Sequence, residues 1–200
     1  MDRAIDRTAR PLAIIAAFAG SLVVGLVVML WALGGLRNGP APAAIGGPFQ
    51  LTDQSGQIVT EKNLKGRPTL IFFGFTHCPD VCPTSLFEIS EVLRSMGTDA
   101  DRVNAYFISI DPERDTSAAI KDYLSSFDPH LKGLTGNPGA VAKTISEFRV
   151  YSKKVPLKDG DYTMDHTTLT YLMDREGRFV SPFNLNRKPE EAAADLKRYL

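Results

Sequence analysis

The sequence predicts an α/β domain, built as a mixed sheet covered by helices on both faces, behind a single N-terminal transmembrane helix. Three observations carry that prediction. Leu12 to Leu36 runs without a charge, and beyond Phe49 short continuous apolar runs alternate with stretches of helical periodicity. The chain's two cysteines, Cys78 and Cys82, lie where the first buried run meets its helix. The organisation that follows is a cytoplasmic N-terminus over residues 1–11, an anchor over 12–36, a tether over 37–47 and a domain over 48–200.

The anchor comes first. At about 1.5 Å per residue, LAIIAAFAGSLVVGLVVMLWALGGL makes a helix of roughly 37 Å, enough to cross a hydrocarbon core of about 30 Å with some tilt. A cleaved signal peptide is the competing reading, and Ala41-Pro42-Ala43-Ala44 offers small residues for cleavage. Its apolar region would run about 7–15 residues, so length favours a retained anchor. Trp31 suits the membrane interface. Arg3, Arg7 and Arg10 precede the span and Arg37 alone follows closely, which keeps the N-terminus in the cytoplasm and sends the domain across. No Arg- and Ser-rich amphipathic presequence precedes it, which points to a bacterial plasma membrane with a periplasmic domain. Asn38 to Gly47 is a Pro/Gly/Ala tether with nothing to bury.

In the domain, Phe49 to Thr60 alternates apolar and polar residues around Ser55-Gly56, the pattern of a β-hairpin. Thr69 to Phe75 and Val103 to Ile110 are continuous apolar runs, the mark of strands buried on both faces. Between them Leu86, Ile89, Val92 and Leu93 place a helix over Pro83 to Met96. Asp115 or Thr116 caps the next helix, whose stripe is Ile120, Tyr123, Leu124 and Phe127. A further helix spans Gly139 to Phe148. Thr167 to Met173 and Arg178 to Phe183 flank Asp174-Arg175-Glu176-Gly177 as a second hairpin. Pro189 opens a last helix with Ala192, Leu196 and Leu200 on its apolar face. Strands alternating with helices and closing on an antiparallel pair, with a cysteine pair at the first strand-to-helix junction, are the thioredoxin-like arrangement.

The totals limit the chemistry. A net charge of zero over 200 residues implies neither nucleic acid nor an acidic surface as a partner. Roughly 150 residues beyond the tether suffice for one domain with a core. Two cysteines four positions apart close too small a loop to act as a strong staple, so they read as chemistry. Pro83 lacks an amide hydrogen, so the regular helix is expected to begin there with Cys82 as its cap. Both sulfurs would then lie at the positive end of a helix, which lowers thiol pKa and enriches the thiolate. The Cys-x3-Cys bite lets both sulfurs reach one metal ion, or close as a disulfide when oxidised.

Three histidines are candidates for a third ligand. His166, in Met164-Asp165-His166-Thr167, reads equally as a ligand reaching over the sheet end or as a histidine satisfying a turn. His77 adjoins Cys78, but neighbours on extended backbone point to opposite faces, and His130 reads as loop structure. Two thiolates and an imidazole suit copper(I), whereas zinc asks for a fourth ligand, which Asp165 is placed to supply.

Four segments in order resemble the Sco (SenC) proteins: Gly74-Phe75-Thr76-His77-Cys78-Pro79-Asp80-Val81-Cys82-Pro83, then Ser109 to Thr116, then Gly133-Leu134-Thr135-Gly136, then Asp161 to His166. The resemblance covers roughly Gly47 to the C-terminus. It implies a thioredoxin-fold copper chaperone, not itself an enzyme, that helps assemble cytochrome c oxidase at its CuA centre. It implies Cys78, Cys82 and His166 as the ligands of copper(I), with copper(II) a second candidate state. The CuA-bearing subunit and a periplasmic copper donor are the implied partners. It also draws in the Asp111 to Asp115 stretch, which by itself reads as a strand end and helix cap, and raises partner docking by Asp111.

Two rivals compete. A thiol–disulfide oxidoreductase would use Cys78 and Cys82 to keep an oxidase subunit's cysteines reduced, yet position 166 holds histidine where such enzymes keep a cis-proline. A peroxiredoxin is suggested by Val81-Cys82-Pro83-Thr84, but Pro79 stands where that family requires threonine or serine.

The orientation is testable in a bacterial host. Alkaline phosphatase fused after Leu200 should be active, because the flanking arginines send that end across the membrane. A stable but inactive fusion would reverse the topology.

Overall fold

A computed structural model describes residues 17–31, 44–158 and 160–200. The chain divides into two units, Met1–Ala43 and Ala44–Leu200. In the first, residues 17–31 form helix α1, whose side chains are exposed. Among the described residues no helix is long and apolar enough to cross a membrane. The remainder of the expected 12–36 span lies outside the described residues.

The second unit is organised by a seven-stranded sheet in the order β2-β1-β5-β4-β3-β8-β9. Its strands are β1 (Gln50–Asp53), β2 (Ile58–Thr60), β3 (Thr69–Gly74), β4 (Asn104–Ser109), β5 (Leu131–Thr135), β8 (Thr170–Met173) and β9 (Phe179–Pro182). β3, β4 and β5 run parallel, and antiparallel pairs flank them on both sides. This is the expected mixed sheet. All six residues of β3 are buried, as its unbroken apolar run requires.

The alternation along β3 divides the core. Phe72 stacks near-parallel on Phe107 of β4, with ring centroids 6.5 Å apart. Phe73 points the other way and meets Phe148 and Tyr171 at 5.4 and 5.7 Å. Helices α2 (Val81–Met96), α3 (Ser117–Leu124), α4 (Pro138–Glu147) and α5 (Pro189–Lys197) complete the unit. α2 packs against α5, and α3 lies on β5. There Gly133 leaves the room that Ile120 and Leu124 occupy, since a Cβ at that position would overlap both side chains. Thr116, one of the two expected caps, accepts from the Ala119 amide.

Four departures from the sequence reading bear on function. Helix α2 starts at Val81 with Asp80 as N-cap, two residues before Pro83, so Cys82 lies inside the first turn. Proline is tolerated there because first-turn amides lack helical partners in any case. β5 carries an exposed Lys132 and a glycine, so its composition hides a strand that pairing with β4 enforces. The polar stretch from Tyr151 to Asp161 is mostly hairpin: β6 (Ser152–Pro156) pairs with β7 (Tyr162–His166) as a separate two-stranded sheet. Its side chains are exposed or half-buried, so no apolar pattern announces it. Finally, the strand expected from Thr167 begins at Thr170, and His166 is the last residue of β7.

Candidate metal-binding site

The site is built where β3 ends. Gly74 has no side chain, and an added Cβ would lie 2.8 Å from the Cys82 sulfur and 2.9 Å from Phe107. The bare backbone lets the first turn of α2 settle directly onto the strand end. Cys82 is consequently fully buried, while Cys78, in the loop between β3 and α2, is half-buried. The two thiols are free. The Cys78 amide donates to the Phe75 carbonyl at 3.3 Å, and the Cys82 amide donates to the Cys78 sulfur at 3.4 Å.

β7 brings in the histidine. His166 Nε2 lies 3.7 Å from Cys82 Sγ. Its Nδ1 lies 2.8 Å from the Thr167 carbonyl, an acceptor only, so Nδ1 carries the proton and the Nε2 lone pair faces the sulfur. Phe75 and Phe72 meet the imidazole edge-on at 5.8 and 6.5 Å. In these apolar walls burial pushes the His166 pKa below the usual imidazole value, and the ring stays neutral.

The same burial overturns one expectation. The Cys82 thiol is pushed far up rather than lowered by its helix start, because desolvation at the strand end outweighs the helix-end field. The fold therefore holds a neutral thiol against a neutral imidazole. Among the described residues no three His, Cys, Asp or Glu side chains are already gathered as a metal cage. Cys82 and His166 are in contact, and Cys78 Sγ is held at the Cys82 amide. His77 points outward and bonds Thr76 Oγ1 at 3.0 Å, and His130 bonds Asp128 and Asp101. Asp165 is exposed on β7 and paired in register with Lys153.

Asp111 does not sit where a docking residue would. It is 2% exposed, accepts from Arg114 Nε at 2.6 Å and takes the Tyr162 hydroxyl at 2.8 Å. Arg114 also donates to the Tyr162 carbonyl at 3.0 Å and lies 3.7 Å from the centroid of its ring. These contacts fasten the start of β7, and so His166 at its other end, to the loop before α3. Asp115, fully buried, accepts from Ser109 Oγ, Thr76 Oγ1 and the Thr76 amide, which fixes the approach to Cys78. Its pKa is pushed up by desolvation in spite of those donors. The spacing Asp-x-x-Arg-Asp was visible in the sequence, but its partner, Tyr162, lies on a hairpin the sequence concealed.

The family model SCO1/SenC matches residues 37–200. A SCO2-like protein of Rickettsia conorii is 40% identical over 190 residues, covering 88% of this chain and 92% of its own. The structure of Bradyrhizobium japonicum ScoI with copper bound superposes with a TM-score of 0.77 at 79% identity, over 78% of this chain and all 100% of that one. Yeast Sco1 with copper bound follows at a TM-score of 0.71 and 38% identity, over 78% of this chain and 88% of that one.

Two measurements test the geometry. Arg114→Met leaves the Asp111 carboxylate buried without its cation, which should cost up to about 3 kcal/mol in urea unfolding, the low end for a buried pair. A loss under about 0.5 kcal/mol would deny the fastening. The second concerns pH. Because the His166 pKa is lowered below its unfolded 6.5, its contribution to stability is complete above that value. It is lost as pH falls through the folded pKa. His130, raised chiefly by its bond to Asp128, contributes in the opposite sense: fully below 6.5, and lost as pH rises through its folded value. The stability difference between wild type and His166→Gln should therefore shrink from pH 7.5 to pH 5, while the His130→Gln difference should widen. Parallel profiles would contradict the burial of His166.

Proposed function

The chain belongs to the SCO1/SenC family, and on that premise we propose that it carries copper(I) on Cys78, Cys82 and His166 and delivers it to the CuA centre of cytochrome c oxidase. In this reading the domain works outside the cytoplasm, behind the 12–36 anchor of a bacterial plasma membrane, and receives its cargo from a periplasmic donor. The observation that carries it is the unprotonated Nε2 of His166 facing the Cys82 sulfur at 3.7 Å.

Copper is cargo here, so the site must release it as well as hold it. Two sulfurs and one nitrogen match the preference of copper(I) for soft, few donors. A full tetrahedral cage, which zinc favours, would need a further ligand, and Asp165 is directed along an exposed strand face. Binding exchanges the thiol protons for the cation, and His166 already offers its lone pair without a proton to lose. The half-buried Cys78 gives a partner access from solvent, while buried Cys82 forms the floor.

The rival reading, thiol–disulfide reduction, draws support from two free cysteines four positions apart. A thiol pushed up by burial is a poor attacking group near neutral pH, so that chemistry would fall to Cys78 as nucleophile. Exchange of that kind has no use for His166.

His166→Ala separates the readings. It removes a ligand and leaves the dithiol in place, so copper(I) affinity should fall by at least about tenfold, the scale on which even supporting groups act at metal sites. The thiol redox potential should stay close to wild type. Copper-limited cells carrying the variant should assemble little active oxidase. Full oxidase activity from a variant that no longer holds copper would transfer the function to thiol reduction.

A further inference from the structure

A groove of about 480 Å³ lies between the first turns of α2 and the segments around β8 and β9. One wall is the outer face of the first turns of α2, with Asp80, Val81 and Glu88. The other holds Thr168 and Leu169, in the link between β7 and β8, and Leu185 lies beyond them. Each wall carries a residue close in the chain to a site side chain. Val81 adjoins Cys82, and Thr168 lies two positions after His166.

Three features define an occupant. Its lining contains Asp80 and Glu88 and no lysine, arginine or histidine, so its field favours positive charge. Val81 and Leu169 are 42% and 48% exposed on opposite walls, so an apolar side chain placed between them would cover both. Thr168 is exposed and its backbone enters no hydrogen bond among the described residues, which leaves one N–H and one C=O for an extended strand. An anionic phospholipid surface carries the wrong sign of charge for these walls, and a neutral one supplies no net charge to match them.

We propose that this groove docks an extended polypeptide segment, with an apolar side chain flanked by lysine or arginine, belonging to the protein that exchanges copper with Cys78, Cys82 and His166. The inference rests on the copper-carrier reading for the partner's identity, and on the groove itself for the segment's chemistry. A strand laid along Thr168 runs past Val81 and brings its own metal-binding side chains to the mouth between Cys78 and His166. Basic residues over Asp80 and Glu88 fix its direction. The acidic wall then acts as a filter that admits a cationic segment and repels an anionic one.

The test uses the full chain in nanodiscs of neutral phospholipid and three fluorescein-labelled ten-residue peptides. One has a leucine between lysines, one has the leucine between glutamates, and one is built of glycine and serine. Fluorescence anisotropy should rank the lysine peptide at least about tenfold tighter than the glutamate peptide, with the preference fading as salt is raised. Glu88→Lys should reverse that order, and Leu169→Ser should weaken the lysine peptide without reversing it. Both side chains reach solvent, so neither change threatens the fold. Copper(I) affinity, read on the same samples by competition, should be unchanged in Glu88→Lys. Equal binding of all three peptides, or an order that Glu88→Lys leaves intact, would overturn the groove. Dimerisation of the chain abolished by Leu169→Ser would overturn it too, by making a second copy the occupant. Wild-type chain that binds no copper(I) would instead defeat the copper-carrier reading, and a lysine-peptide preference in that same sample would still uphold the groove.

Discussion

The contact on which the site depends is the close approach of α2 to the end of β3 at Gly74. Any side chain there would meet the Cys82 sulfur and Phe107 at under 3 Å, and would lift the start of the helix off the sheet. With glycine in place, Cys82 sinks to full burial against the face formed by Phe72 and Phe107. His166 then needs no long reach, because its ring already rests on Phe72 and Phe75, the side chains that flank that strand end. One absent methyl group thus sets the depth of a sulfur and the distance between two donors.

Depth has an electrostatic consequence. Burial works against charge on both partners, raising the thiol and lowering the imidazole, so the contact pairs two neutral groups where an exposed site would favour an ion pair. A buried neutral pair costs less to keep than a buried charge would. For the proposed copper site it also sets a threshold: a cation must bind well enough to displace the Cys82 proton. A soft monovalent ion meets that condition through strong bonds to sulfur, whereas harder cations gain little from such donors. The same burial leaves any disulfide exchange to Cys78, since a thiol held protonated is slow to attack.

The hairpin that delivers His166 has few apolar contacts of its own, and its stability comes from polar fastening. Arg114 bridges Asp111 and the Tyr162 carbonyl, and lies over the Tyr162 ring, while Lys154 lies 3.9 Å from the centroid of that ring and pairs with Glu113. The exposed Lys154–Glu113 pair adds little by itself. The Asp111–Arg114 pair differs because both charges are largely withdrawn from water and the carboxylate has a second donor in Tyr162. Three side chains of the Asp111 to Asp115 stretch therefore act inward: Asp111 and Arg114 hold the hairpin, and Asp115 braces the cysteine loop through Thr76.

Read alone, the sequence determined the elements whose residues pattern on a single period. The unbroken apolar runs of β3 and β4, the stripe on α2 and the cysteine pair at the strand-to-helix junction were legible because burial on one or both faces dictates residue type locally. The motifs carrying the family resemblance were equally local, and the match to the SCO1/SenC model over residues 37–200 accords with them. What tertiary structure decided depended on partners distant in the chain. β5 and the β6–β7 hairpin exist by pairing rather than by hydrophobic pattern, so their polar residues read as loop. As sequence, His166 was equally a ligand or a turn residue, because 84 positions separate it from Cys82. The pKa of Cys82 went against its helix position because desolvation is set by everything packed around an atom, and a sequence window contains only the neighbours along the chain.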